Sequence, residues 1–594
     1  MSTVPVPFQE IAGEKLNAAQ SAYLDGFFAA LVNRGLSFTD VAPNPAAAAK
    51  SDLASLIFEE RVKRELHGLD SYPLLVENAT HNQAPDKEEL FRFKWHGLFF
   101  LTPNKEAFMA RLRIPGGQVK TFQLREIARV AEELTTGYVQ VTTRSNLQLR
   151  LIQPKDAPEV LRRIQGVGLH TRGSGADNIR NLTANPTAGI DPHELIDTLP
   201  LCHQLGQIIL NDRAFYDLPR KFNIAFDGGG LIGTVEDTND LGVRAVRVGG
   251  AAAAGETPVL PAGGVQPGVY FRIAVGGATG HKTFARDLGV LVKPEEVLKV
   301  VVALTRVYIA NGCRTDRKKA RLKHLLETWT LEQYLAETEK LLGVKLLRAP
   351  ADLKCEISNL KLPEVPHSHI GVFPQKQAGL NYVGVALPVG QLTPKQMLRL
   401  ADLADNYGSG EVRLTVWQNL IIPNVSAAFV EPLKQALVKM GLHWQQSNVR
   451  SGVVACTGNA YCKFAATNTK GHAAELADYL EKRFQLDQPI NIHLTGCANS
   501  CAQHYMGDIG LLGAKVKVAG ESVEGYHVFI GGGFGERQAL GRQVFQGVSF
   551  ASLKPTLEKM LKGYLRHRTS GETFQLFTQR HDLNTLQAIF SNEE

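Results

Sequence analysis

Nowhere does the chain run for the ~18 apolar residues that a membrane span requires, so no membrane partner is expected. Cysteine is scarce and odd in number, seven in 594 residues, which excludes a disulfide framework and suits a reducing compartment. The N-terminal Met1-Ser2-Thr3-Val4-Pro5 has neither the basic nor the apolar region of a secretion signal, and a cytoplasmic location is the expectation. An excess of one charge is also missing: 65 Lys and Arg against 58 Asp and Glu leave +7. The basic residues are spread along the chain without a nucleic-acid motif, so no nucleic acid is expected as partner. The glycine run Phe529-Ile530-Gly531-Gly532-Gly533-Phe534-Gly535 misses the G-x-G-x-x-G spacing of a dinucleotide site and is read as backbone packed close to a cofactor. At this length several domains are needed, because one core stops growing well before 594 residues.

Four of the cysteines gather in two short stretches. They stand in Ala455-Cys456-Thr457-Gly458-Asn459-Ala460-Tyr461-Cys462 and in Thr495-Gly496-Cys497-Ala498-Asn499-Ser500-Cys501. Zinc knuckles place paired ligands two to four residues apart. The first pair here has five residues between its cysteines, and Gly458, Asn459 and Ala460 let the backbone close on something bulkier, which favours an iron–sulfur cluster. Structural zinc and four unrelated buried thiols are the alternatives. Cys202, Cys313 and Cys355 are left as spare thiols.

A long repeat organises the rest. Pro115, Gly117, Gln118, Gln123, Ala128, Ala131, Gly137, Val139, Thr142, Asn146 and Leu147 recur 273 residues later, without gaps, as Pro388, Gly390, Gln391, Gln396, Ala401, Ala404, Gly410, Val412, Thr415, Asn419 and Leu420. Gly168-Leu169-His170 is echoed by Gly441-Leu442-His443, and Asn178-Ile179-Arg180 by Asn448-Val449-Arg450. The period is far beyond that of a solenoid and means a duplicated pair of domains. The differences between the copies are polar: Arg111, Arg113, Arg144, Gln148 and Arg150 face Gly384, Ala386, Trp417, Ile421 and Pro423. One half keeps cations and the other owns the cysteines, as expected of a single site between two pseudo-symmetric halves.

The expected division is an N-terminal extension over 1–85, a first half-domain over 86–155, a first α/β domain over 156–345, a second half-domain over 346–430 and a second α/β domain over 431–594. Helical patches are expected at Ser21–Leu31 and Asp52–Leu66, with a Pro/Ala stretch at Ala42–Ala46. Strand-like alternation begins at Phe91–Trp95, and an amphipathic helix follows at Leu124–Leu134. Further strands are expected at Gly137–Arg150 and Val269–Gly277, a helical basic stretch at Arg314–Lys323, and a solvated insert at Gly249–Gly264.

The C-x5-C and C-x3-C pattern, the latter inside T-G-C-A-N-S-C, resembles the signature of the nitrite and sulfite reductases that carry siroheme beside a [4Fe–4S] cluster. The resemblance spans nearly all of the chain from Phe91 and implies an α+β fold: a pseudo-two-fold pair of ferredoxin-like half-domains plus two α/β domains that bind siroheme and cluster. It makes Cys456, Cys462, Cys497 and Cys501 the cluster ligands, with Cys501 also bridging to the siroheme iron. It places Arg111, Arg180, Lys221 and Asn223 where the anion binds. It sets Thr142, Thr143, Arg144, Asn146, Gln148 and Arg150 against the macrocycle carboxylates, with Arg317 and Arg321 as further carboxylate partners.

Substrate choice, by the same resemblance, turns on Lys221-Phe222-Asn223. Nitrite enzymes resemble Lys-x-Asn there and sulfite enzymes Lys-x-Lys, because a second cation suits a dianion and a neutral amide a monoanion. Nitrite is therefore expected, reduced to ammonium, with sulfite as the alternative. No flavin or nicotinamide module fits beside the repeat, so the implied electron donor is a separate ferredoxin. A mono-oxygenase-like relative in corrin biosynthesis and a non-catalytic zinc protein are readings of other classes.

Overall fold

Arg113 and Ala386 stand 273 residues apart, and their backbone amides make the same bond, to His170 O at 2.6 Å and to His443 O at 2.8 Å. The duplication read from the sequence is thus carried by the backbone. The computed structural model describes residues 10–11, 14–15, 53–101, 106–249, 265–350, 353, 355–356, 368–445 and 447–591. The helix expected at Ser21–Leu31, the Pro/Ala stretch and nearly all of the Gly249–Gly264 insert lie outside these residues.

Each copy contributes a helix at the same offset, Thr121–Leu134 and Pro394–Tyr407. Leu124, Ile127, Ala128 and Ala131 form the buried stripe of the first, and Met397, Leu400, Ala401 and Ala404 that of the second. Their spacing of three and four is that of one helix face, and each large side chain so buried contributes about 1.5–3 kcal/mol. The second helix starts at Pro394, with Thr393 and Gln396 closing a reciprocal cap. Arg125 ties the pair together through Asp402 at 2.8 Å and Asp405 at 2.7 Å.

Under the helices lie two five-stranded antiparallel sheets that trade strands. Gln118–Lys120 from the first copy pairs with Glu411–Leu414 of the second, and Gln391–Leu392 from the second pairs with Val139–Val141 of the first. Neither copy can complete its sheet alone, and the two share one apolar core.

The remaining two layers are α/β. In one, Ile224–Asp227 runs parallel to Leu241–Val248, which pairs antiparallel with Gly268–Val275. Helices at Leu199–Asn211, Val297–Asn311 and Leu331–Leu342 pack on it. In the other, Val453–Ala455, Ile492–Thr495 and Ile509–Val518 are parallel neighbours, continued antiparallel by Glu521–Ile530 and Arg542–Ser549. This is the α+β architecture expected.

Several local expectations are corrected. Phe91–Trp95 is helical, a turn at Glu89–Arg92 running into a 3-10 turn at Phe93–His96. Asp86 Oδ1 accepts the amides of Glu88 and Glu89, which starts the helix, and the i,i+4 rings of Phe91 and Trp95 pack edge-on at 5.1 Å. Gly137–Arg150 is two strands, Val139–Val141 and Leu147–Ile152, folded about the turn Thr142–Asn146. The basic stretch Arg314–Lys323 holds only a short 3-10 turn, Arg317–Lys319, before the helix Leu322–Thr328.

Candidate active site

The turn that breaks the expected long strand is what builds one wall of the site. Thr142 N donates to Asn146 O at 2.9 Å, Thr142 Oγ1 accepts Arg144 N at 3.2 Å, and Ser145 takes φ +47°. The second copy repeats it at Thr415–Asn419, with Gln418 at φ +61°. In the first copy the tip faces a cavity of about 710 Å³. In the second, Trp417 stands in place of Arg144 and packs on Phe534 and His493, ring centroids 5.1 and 6.0 Å away. Gly384, equivalent to Arg111, is equally closed, since a Cβ there would lie 1.7 Å from His369 O. The polar asymmetry between the copies is thus a consequence of packing.

The opposite wall comes from the parallel strands Val453–Ala455 and Ile492–Thr495. Both end at the same edge, and the loops that follow carry the cysteines, the usual place for a ligand on such a sheet. Cys456, Cys462, Cys497 and Cys501 all line the cavity. Gly458 has φ +71° and lies so close to Thr469 that a Cβ would meet its amide nitrogen at 2.8 Å, so glycine is required for the loop to fold back. Gly496 N donates to Cys456 Sγ at 3.2 Å, the kind of bond that tunes a thiolate ligand. The walls are joined where Thr143 Oγ1 donates to Cys501 O at 3.0 Å and Arg150 Nη2 to Thr457 Oγ1 at 2.5 Å.

Of the residues expected at the site, Arg111, Thr142, Thr143, Arg144, Asn146, Gln148, Arg150, Arg180, Lys221, Asn223 and Arg321 line this cavity with the four cysteines. Arg317 does not. Both its terminal nitrogens are bonded to Asp177 at 2.8 Å, and the carboxylate is fully buried, so this guanidinium is spent inside the protein. Asn146 serves the turn as well as the wall: its Nδ2 bonds Leu112 O, and its Oδ1 accepts Leu147 N. The glycine run is tightly packed, as expected, but away from the cavity. A Cβ on Gly532 would strike Gly507 O and Tyr505 O at 2.6 Å, and one on Gly533 would strike Gln575 and Arg537 O.

The electrostatics of the cavity are those of a site awaiting anions. Arg111 and Arg180 both donate to the Ser174 carbonyl, and Arg180 also to Ala176 O. Neither has a carboxylate within ion-pair distance among the described residues. Burial lowers Arg111, Arg144 and Arg150 to about 10 and Arg180 well below its ordinary value. Lys221 falls to about 7, through burial first and the nearby Arg321 second. Cys501 opens onto the cavity but lies deep within the protein, and burial pushes its thiol up to about 11 against the pull of Lys221. Such uncompensated buried cations are costly unless an anion joins them.

Sequence reading missed part of the lining. Lys94, lowered to about 8 by burial, Lys463, Lys470, Gln418, Gln503 and His281 also line the cavity. Lys463 could have been found from its place beside Cys462, and Gln418 from the repeat of the Thr142–Asn146 turn. Nothing local marks Lys94 or His281.

The residues present fit the two groups that the resemblance implies. Four thiols from two loops share one wall, a donor set that suits an iron–sulfur cluster. Gln140 Nε2 and Thr495 Oγ1, both lining the cavity, are buried without a hydrogen-bond partner. Donors orphaned in this way need a polar ligand, and a carboxylate-bearing macrocycle would also neutralise the cations.

Comparison with known proteins agrees. The family description "Nitrite and sulphite reductase 4Fe-4S domain" matches residues 175–346 and 446–593, and "Nitrite/Sulfite reductase ferredoxin-like half domain" matches 102–167 and 373–440. The chain belongs to the nitrite and sulphite reductase family. Among its relatives, the ferredoxin–nitrite reductase of Synechococcus elongatus is 37% identical over 79% of this chain and 88% of its own. The assimilatory ferredoxin-dependent nitrite reductase of Haloferax mediterranei is 32% identical over 88% of this chain and 91% of its own. The solved Mycobacterium tuberculosis NirA protein superposes with a TM-score of 0.79 at 28% identity, covering 89% of this chain and 97% of that one. The half-domain matches of this reductase family fall on the two sheets that exchange strands, and the 4Fe-4S matches on the two α/β layers.

Proposed function

We propose that the chain is a ferredoxin-dependent nitrite reductase that carries siroheme and a [4Fe–4S] cluster and reduces nitrite to ammonium. The observation that carries this reading is one cavity with four cysteines on one wall and, on the other, Arg111 and Arg180 held by carbonyls alone. Cys456, Cys462, Cys497 and Cys501 would hold the cluster, and Cys501 would also serve the siroheme. Thr142, Thr143, Arg144, Asn146, Gln148, Arg150 and Arg321 would face the macrocycle. When bound, the two groups would supply electrons singly to the anion.

The chain's own residues do the rest. Arg111 and Arg180, fixed by the Ser174 carbonyl, neutralise the anion and stabilise charge on its oxygens as the N–O bonds break. Lys221, with its proton affinity lowered to about 7, can give up a proton where the guanidinium groups beside it hold theirs too tightly. Asn223 offers a neutral amide where a second cation would favour a dianion.

The domain division read from the sequence is kept as part of this proposal. Among the described residues no helix is long and apolar enough to cross a membrane, and we place the enzyme in the cytoplasm, where thiolates and a reduced donor persist. The test is the purified protein's absorption and metal content. The reading requires a Soret band with a siroheme band towards the red and four irons in the cluster; a colourless zinc protein would end it.

A further inference from the structure

Turning nitrite into ammonium consumes protons as well as electrons, NO2− + 8 H+ + 6 e− → NH4+ + 2 H2O, with reduced ferredoxin as the electron source. The proton supply is the unassigned part. Arginines on the cavity wall cannot cycle a proton at neutral pH, and Lys221 must be reloaded after each transfer.

The strand Gly268–Val275 leads into a tight hairpin between Ala278 and Thr283. Ala278 N donates to Thr283 O at 2.7 Å, Thr283 N to Ala278 O at 3.3 Å, and Lys282 takes φ +53° at the tip. Lys323 Nζ bonds Thr283 Oγ1 at 3.3 Å. On the other side Gly280 abuts the Asn499–Ser500 peptide, where an added Cβ would sit 3.0 Å from Asn499 O. Held on both flanks, the hairpin presents His281 to the cavity that Lys221, Arg321 and Ser500 also line, while leaving the ring exposed. Behind it stands His324, edge-on with ring centroids 5.4 Å apart at 75°. His324 Nδ1 accepts Arg321 N at 3.3 Å, which leaves the ring proton on Nε2.

We propose that His281, backed by His324, is the proton port of this cavity, taking protons from solvent and passing them through water to the wall where the anion binds. The inference rests on the nitrite-reductase reading. Imidazole is the side chain suited to this work near neutral pH. Its surroundings favour release: partial burial, then Arg321, His324, Lys323 and Lys221 lower His281 to about 4, while Glu327 and Asp316 pull the neighbouring His324 the other way. The ring is therefore neutral at rest, and a proton that it takes up is handed on.

The test compares wild type with His281→Ala, His281→Gln and His324→Gln as full-length holoenzymes. Nitrite affinity is read from the visible spectrum, and kcat with reduced ferredoxin is followed from pH 6 to 9 in H2O and D2O. Loss of a positioned acid–base group predicts a kcat about tenfold or more lower, with the deficit largest at high pH and the solvent isotope effect raised. Nitrite affinity is unchanged, His324→Gln has a smaller effect of the same sign, and added imidazole rescues His281→Ala. A variant with the wild-type pH profile and isotope effect overturns the proposal, and so does a loss expressed wholly in nitrite affinity. Wild-type enzyme inert towards nitrite would instead sink the functional reading. The same comparison then runs with sulfite, whose reduction also consumes protons, and is judged by the same outcomes.

Discussion

Asn223 donates its side-chain amide to Asp240 Oδ2 at 3.0 Å, and its backbone amide to the same oxygen at 2.9 Å. Asp240 is gripped from the other side by Arg321, with Nη2 2.8 Å from each carboxylate oxygen. The residue expected to choose the substrate is thus oriented by a buried ion pair rather than left free in the cavity.

Replacing Asn223 with Lys adds a cation to the anion wall, and Asp240 is placed to hold it there. The expected result is a fall in the nitrite-to-sulfite ratio of kcat/KM by about tenfold to a hundredfold, as for one desolvated charged hydrogen bond of about 1.5–3 kcal/mol. Arg321 then shares its carboxylate, so some stability is lost as well. Steady-state kinetics with both anions decides the matter; an unchanged ratio means that Asn223 is structural.

Arg180 and Arg450 occupy equivalent places in the two copies but not equivalent surroundings. Arg180 faces the cavity with only carbonyl partners, whereas Arg450 is paired with Asp478 at 2.5 Å and Glu481 at 2.7 Å. Arg180→Ala should lower kcat/KM for nitrite by about a hundredfold, the usual cost of removing a preorganised donor. Arg450→Ala should leave it within twofold and cost about 1 kcal/mol or less of stability, as for a partly exposed pair. Equal losses of activity would argue against one asymmetric site.

What the sequence disclosed follows from what is local or duplicated. The helix at Thr121–Leu134 was legible from its periodicity, and its echo at Pro394–Tyr407 from the repeat, whereas the turn at Thr142 reads as continuous strand in spite of its copy at Thr415. The strand exchange was not legible, since the partners of Gln118–Lys120 lie some 290 residues away and leave no local mark. At the site, cysteine spacing marked one wall. The other wall is made of arginines whose fate depends on distant carboxylates: Asp177 removes Arg317 from the cavity, while Arg180, three residues along the chain from Asp177, stays in it. Phe91–Trp95 misled because aromatic alternation suits a strand and an i,i+4 helical stack equally.

Glu339 gives a prediction on stability rather than catalysis. Its side chain is buried and accepts Arg348 Nη1 at 2.6 Å, Lys345 Nζ at 2.8 Å and Leu346 N at 2.9 Å. Burial alone would raise its pKa, but these bonds outweigh burial and hold it at about 2. A carboxyl depressed on folding stabilises above its unfolded value and loses that contribution as pH falls through the folded one. With both cations partly exposed the contribution is about 2 kcal/mol. Glu339→Gln should therefore be less stable than wild type by about that amount at pH 7, and the gap should close between pH 5 and 2. Urea unfolding followed by circular dichroism measures it, and a gap independent of pH would contradict the assignment.

The account stands or falls on the claim that one cavity delivers six electrons to one nitrite. The direct measurement counts ferredoxin oxidised, nitrite consumed and ammonium formed by the purified holoenzyme under anaerobic conditions. Six ferredoxins oxidised and one ammonium formed per nitrite, without released intermediates, is the predicted result. Nitrite left intact while sulfite is turned over to sulfide, or electron consumption that stops short of ammonium, would contradict it.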